Sequence, residues 1–192
     1  MKVKTILVLV FMLFITGCTV VRIDTSTIDN TINVVLSKKN TLYNRVGKGY
    51  KYYIPRGVSY IDTNEFNEKL YSNGVYYYLY IDAVSYFHKK QYEYKEDSSL
   101  FYSKKIEKND KKGYLQITEE KDKYLVEFMY NYAKIEALVD KDKIEEVVLN
   151  SSYILSTVKF NDNVIKLMLD EEFFTNKEEK YEVFDQAVSE NK

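Results

Sequence analysis

The chain has 192 residues, among them 20 Tyr, one His, one Cys, one Pro and no Trp, with 28 basic residues against 29 acidic ones. A balance this close to neutral, with no basic stripe, argues against nucleic acid as a ligand. A single thiol excludes an intramolecular disulfide, so a chain long enough for one core of ordinary size must hold itself together by packing alone.

Lys2 and Lys4 precede an uninterrupted apolar run that begins at Ile6 and ends in Ile15-Thr16-Gly17-Cys18. That order is the charged region, apolar region and small-residue cleavage site of a secretory signal. The last four residues resemble the lipobox of bacterial membrane lipoproteins: an aliphatic residue, a small or polar one, Gly or Ala, and Cys. The resemblance implies that residues 1–17 are a signal peptide and that Cys18 carries a diacylglycerol with palmitate-type chains. The mature chain would then be held at the extracytoplasmic face of the cell membrane. A spanning helix is the alternative, but it needs ~20 mostly apolar residues, about twice the strictly apolar stretch here. Two or more acyl chains convert marginal binding into stable attachment.

Residues 18–24 then form a lipidated N-terminus and short tether, residues 25–174 a single domain, and residues 175–192 a charged C-terminal tail. From Thr25 to Lys39 the apolar residues Ile28, Ile32, Val35 and Leu36 fall at helical spacing, with Ser26 or Thr27 as the N-cap. At Gly49 the period changes to two. Tyr50, Tyr52 and Ile54 alternate with Lys51 and Tyr53, Pro55-Arg56-Gly57 supplies a turn, and Val58 to Ile61 reads as a strand.

Ser72-Asn73-Gly74 is a second turn, leading into Val75 to Ile81, the strongest strand signal in the chain. A further strand is expected from Val84 to Phe87. Residues 88–112 read as a long loop or irregular edge strand in which only Leu100, Phe101, Tyr102 and Ile106 pack. From Gly113 alternation returns, Glu119 to Asp122 turns, Tyr124 to Met129 is the hairpin partner, and Ala133 to Val139 follows as a strand. Asp140 is expected to cap a helix over Ile144 to Val158, and Val164 to Leu169 suits a short helix or strand ending. This order predicts an α+β fold, an antiparallel sheet packed against helices.

Two stretches resemble the Mog1/PsbP-like fold. Gly49-Tyr50-Lys51-Tyr52-Tyr53-Ile54-Pro55 is similar to its opening strand, and Ile154-Leu155-Ser156-Thr157-Val158-Lys159-Phe160 to its closing segment. The aromatic residue that the fold carries soon after the proline is missing here.

No residues are expected to catalyse, and no metal or cofactor is expected. His88 has no Gly-x-Ser-x-Gly motif for company. The pairs Glu119-Glu120, Glu145-Glu146, Glu171-Glu172 and Glu178-Glu179 sit in lysine-rich stretches and read as solvated charge. Asp140 to Glu145 lacks the glycine of a calcium loop, and Gly47-Lys48-Gly49 precedes a strand where a nucleotide loop needs a helix. The tyrosines are the remaining functional signal. Tyr76, Tyr78 and Tyr80 share one strand face, opposite Tyr77, Leu79 and Ile81. That face is expected either to be covered by a helix or to form a platform for an envelope protein, peptide or glycan.

Overall fold

The computed structural model describes residues 25–169. A first helix, α1 (Thr25–Ser37), precedes two short strands, β1 (Arg45–Val46) and β2 (Tyr50–Tyr52). Then come β3 (Ser59–Asn64), β4 (Asn67–Ser72), β5 (Val75–Ile81) and a one-turn helix α2 (Ala83–Phe87). Four strands follow: β6 (Tyr102–Lys108), β7 (Lys111–Glu120), β8 (Lys123–Tyr130) and β9 (Ala133–Val139). Helix α3 (Ile144–Thr157), β10 (Lys159–Phe160) and α4 (Asp162–Met168) complete the fold.

Seven strands form one antiparallel sheet in the order β3-β4-β5-β9-β8-β7-β6. The fold is α+β, with α1 and α3 on one face of that sheet. The inner face presents Tyr77, Leu79, Leu115, Val126, Phe128 and Ile135, all fully buried. Helix α3 lies against β8 and β9, α1 lies against α3, and Ile28, Ile32 and Leu36 join the same core. The 3.6-residue period brings these three side chains to one stripe, which is why α1 is amphipathic despite its β-branched residues.

Helix α1 also has a fixed direction. Near its start, Asp29 accepts from Tyr102 Oη at 2.6 Å and pairs with Lys104; near its end, the Leu36 carbonyl accepts from Asn109 at 2.6 Å. It therefore runs alongside β6, with Thr25 toward the end of the sheet that carries the β4–β5 turn. In that turn Asn73 (φ 47°) and Gly74 (φ 85°) take the left-handed conformations a tight hairpin needs. Gly113 serves a different purpose: a Cβ there would lie 2.0 Å from the Met129 carbonyl oxygen, so β7 and β8 approach only because no side chain intervenes.

A second, three-stranded sheet, β1-β2-β10, packs Tyr50 and Tyr52 into the same core. Its central strand and β10 belong to the two segments that carry the Mog1/PsbP resemblance, and they are hydrogen-bonded neighbours, Lys159 opposite Lys51 and Phe160 opposite Tyr50.

Several expectations need correction. Val84 to Phe87 is helix, because Asp82 turns its carboxylate to the Ser85 amide at 2.8 Å and caps a turn that β-propensity alone misreads. Ser26 and Thr27 lie inside α1 rather than before it. Asp140 makes no side-chain cap; a 3₁₀ turn, Lys141–Lys143, leads into α3 instead. Residues 102–108 are a regular strand paired along its full length with β7. Lys104 obscures the pattern there, since it faces inward and is neutralised by Asp29. Strand β4 was invisible to periodicity because Leu70 is its one apolar core residue, beside a buried Glu68.

Candidate functional site

The outer face of the large sheet is divided in two by topology. Strand β5 is central and β6 is at the far edge, so residues 82–101 must cross over β9, β8 and β7 to connect them. They cross on the outer face. Tyr94 stacks on Tyr114 of β7 with ring centroids 4.3 Å apart, and its hydroxyl reaches Ser103 at 2.7 Å and Gln116 at 3.1 Å. Tyr92 packs on Tyr132 at 5.6 Å and donates to Asp82.

The half made by β3, β4 and β5 lacks this cover. There Tyr71 and Tyr76 are exposed neighbours, centroids 5.1 Å apart, and Lys69 Nζ lies 4.5 Å from the Tyr76 ring and 5.6 Å from that of Tyr78. Tyr78 is half-buried and Tyr80 is buried at 6% exposure. The three alternate tyrosines of β5 thus form a gradient rather than one open row: Tyr76 faces solvent, Tyr80 lies at the covered end.

Under the crossing segment lies a half-open cavity of about 150 Å³. Its walls are Tyr80, Tyr92, Tyr114, Tyr132 and Met129, and Asp82 and Lys134 are its charged members. Tyr132 occupies the second position of the β8–β9 turn with φ 60°, after Asn131 at φ 55°. Glycine is the favoured residue at such a position, and a bulky side chain there is uncommon. Burial pushes the Tyr92 hydroxyl well above its ordinary value, and the Asp82 charge adds to that rise; the same two causes raise Tyr132.

Beside the cavity, Glu127 and Glu136 sit opposite each other on β8 and β9. Glu136 is buried and its Oε1 takes Lys134 Nζ at 2.5 Å, while Oε2 has no hydrogen-bond partner. Burial raises Glu127 above the usual carboxylate range, its Glu136 neighbour pushes it further, and the Gln116 amide only partly opposes this. On the inner face another carboxylate, Glu68, is fully enclosed. It accepts from the hydroxyls of Tyr50 and Tyr52, the latter at 2.6 Å, and from Arg45 Nε at 3.2 Å. This cluster joins the small sheet to the large one.

Cys18 lies outside the described residues, as do Glu171, Glu172, Glu178 and Glu179. His88 is exposed and ends α2, its ring edge-on to Phe87. Glu146 holds the β4–β5 turn through Asn73 at 2.7 Å, and Gly47 to Gly49 is the β1–β2 turn, closed by Gly47 N donating to the Tyr50 carbonyl at 3.0 Å. That turn borders a wider cleft of about 640 Å³ against residues 159–164. Among the described residues no three His, Cys, Asp or Glu converge as a metal site, and no helix is long and apolar enough to cross a membrane.

Sequence reasoning missed the cavity and the carboxylates Glu68, Glu127 and Glu136. A signal for the last two existed: in Lys123–Tyr130 and Ala133–Val139, Glu127, Lys134 and Glu136 are the polar residues of otherwise apolar strand interiors. Compared with known proteins, the chain matches no family model, no curated protein and no solved structure.

Proposed function

We propose that the chain is a lipid-anchored, non-catalytic binding component of the bacterial cell envelope, tethered through Cys18 at the extracytoplasmic face of the membrane. The observation that carries the binding role is the half-covered outer sheet face. An antiparallel sheet normally turns a polar face to water, yet this one carries Tyr71, Tyr76 and Tyr78 in the half that the crossing segment leaves open. Exposed tyrosines joined by a lysine suit contact with a partner, because each ring buries area while its hydroxyl stays hydrogen-bonded. The anchor is supported by Lys2, Lys4, the apolar run and Ile15 to Cys18. The Mog1/PsbP-like reading is supported by the pairing of β2 with β10.

The anchor is tested by mass spectrometry of the mature N-terminus and by Cys18→Ser, which should leave the chain unlipidated and release or mislocalise it, because the thiol is the acyl acceptor. A retained Met1 with no lipid on Cys18 rejects it. The surface is tested by crosslinked capture from the native membrane with wild type and Tyr76→Ser. Loss of a partner in the variant, with the melting temperature unchanged, is the expected result; identical capture rejects the tyrosine surface.

A further inference from the structure

We propose that the tyrosine-walled cavity beneath residues 82–101 binds a methylated ammonium group, held by ring faces with Asp82 as the local counter-charge. The reading goes beyond the partner surface and does not depend on the lipid anchor. Three observations carry it.

The first is size and wall chemistry. A volume of about 150 Å³ is room for about five waters at ~30 Å³ each, which suits a compact group such as tetramethylammonium rather than a sugar chain or a peptide. Tyr80, Tyr92, Tyr114 and Tyr132 line it, Tyr114 with one ring face already covered by Tyr94, and Met129 adds a polarizable thioether. Aromatic walls of this kind attract quaternary ammonium groups through the negative face of each ring.

The second is charge. Lys134 is the one basic residue of the lining, and its ammonium is already committed to Glu136 at 2.5 Å. Asp82 then sets the sign of the cavity. An anion would meet this negative balance unfavourably. A methylated cation meets it favourably and needs no hydrogen-bond donor from the protein.

The third is the backbone at Tyr132. Its left-handed φ of 60° costs energy that glycine would avoid, yet the ring it carries forms a wall of the cavity and packs against Tyr92 and, edge-on, Tyr86 at 5.7 Å. The strain separates fold from site: Tyr132→Gly relaxes the turn and removes the wall.

The test titrates tetramethylammonium chloride into the full chain in maltoside detergent, following tyrosine ring-proton NMR shifts, with sodium chloride at equal concentration as the salt control. Saturable shifts are expected, weakened about tenfold or more by Tyr132→Gly and by Tyr114→Leu, which remove ring faces from the cage. Asp82→Asn keeps the helix cap and should weaken binding by removing the charge. Tyr76→Ser should leave binding unchanged, and melting temperatures confirm that each variant is folded. Absence of saturation overturns the proposal, as does equal affinity for neopentyl alcohol, the uncharged analogue, which would make the cavity merely apolar. Equal weakening by Tyr76→Ser would also overturn it. Maltoside micelles doped with phosphatidylcholine or with phosphatidylglycerol then separate the sources: competition by the former alone assigns a lipid headgroup, and competition by neither assigns a free solute.

Discussion

Tyrosine hydroxyls bonded to carboxylates tie together elements that are distant in sequence among the described residues. Tyr102 holds α1 to β6 through Asp29, and Tyr50 and Tyr52 hold the small sheet to β4 through Glu68; Tyr92 closes the crossing segment on itself through Asp82, and Tyr86 ties α2 to α4 through Asp162 at 2.6 Å. Glu68 is the most enclosed of these acceptors, so Glu68→Ala strands two buried hydroxyls and Arg45. It should cost about 3–5 kcal/mol in urea unfolding, the range for removing one partner of a buried charged pair. Tyr50→Phe removes a single bond and should cost about 1–2 kcal/mol. Burial of the tyrosines sets an alkaline limit. Burial pushes Tyr77, Tyr86 and Tyr130 up to about 12, and Tyr50, Tyr52, Tyr92 and Tyr102 further in the same direction. The folded state therefore keeps its phenolic protons where the unfolded chain, with tyrosine near pH ~10, releases them. Stability from this source is fully present below pH ~10 and should fall as pH rises through about 12; a flat melting temperature across that window would contradict the assignment.

At the scale of elements, β5 shows how one strand serves two environments. Tyr77 is fully buried, with its hydroxyl accepting from Asn150 Nδ2 at 3.1 Å, whereas Tyr76 is 38% exposed. Thermal melts should separate them: Tyr77→Ser costs about 3–5 kcal/mol as a large-to-small core change, Tyr76→Ser within about 0.5 kcal/mol. Comparable losses from both would mean that the outer face is covered at Tyr76 as well. Val75–Ile81 was legible in the sequence with correct bounds because it is an unbroken run of aromatic and β-branched residues, and Ala133–Val139 because one of its faces is wholly apolar. So was the stripe of α1. Strand β4 was not, and β6 was legible only as one of two readings of residues 88–112, an irregular edge strand, since a buried Glu68 and an inward Lys104 imitate loop composition and each is compensated by residues distant in sequence. The cavity was illegible for a related reason. It exists only because residues 82–101 cross the sheet, and that path follows from β5 pairing with β9, a contact between strands more than fifty residues apart.

For the molecule as a whole, one core cluster runs through α1, both sheets and α3. A chain starting at Arg22 should therefore unfold in a single transition, with the same midpoint in the presence and absence of reductant, because Cys18 lies outside it and no disulfide contributes. Two transitions, or a shift with reductant, would mean that the small sheet and α4 form a separate unit.

The direction of α1 has a consequence for how such a tethered protein would stand. Thr25 lies toward the sheet end that holds the β4–β5 turn, whereas Tyr80, Asp82 and Tyr132 gather at the other end. Seven strand residues separate the two ends, about 23 Å at ~3.3 Å per residue. Seven residues from Cys18 to Thr25 reach at most ~25 Å when fully extended. With a lipid at Cys18, the turn end is the end nearer the anchor and the cavity lies toward the far end of the sheet. Bringing the cavity end down to the bilayer would use nearly the whole of that leash, so a tether with slack in it keeps the turn end, not the cavity end, beside the anchor.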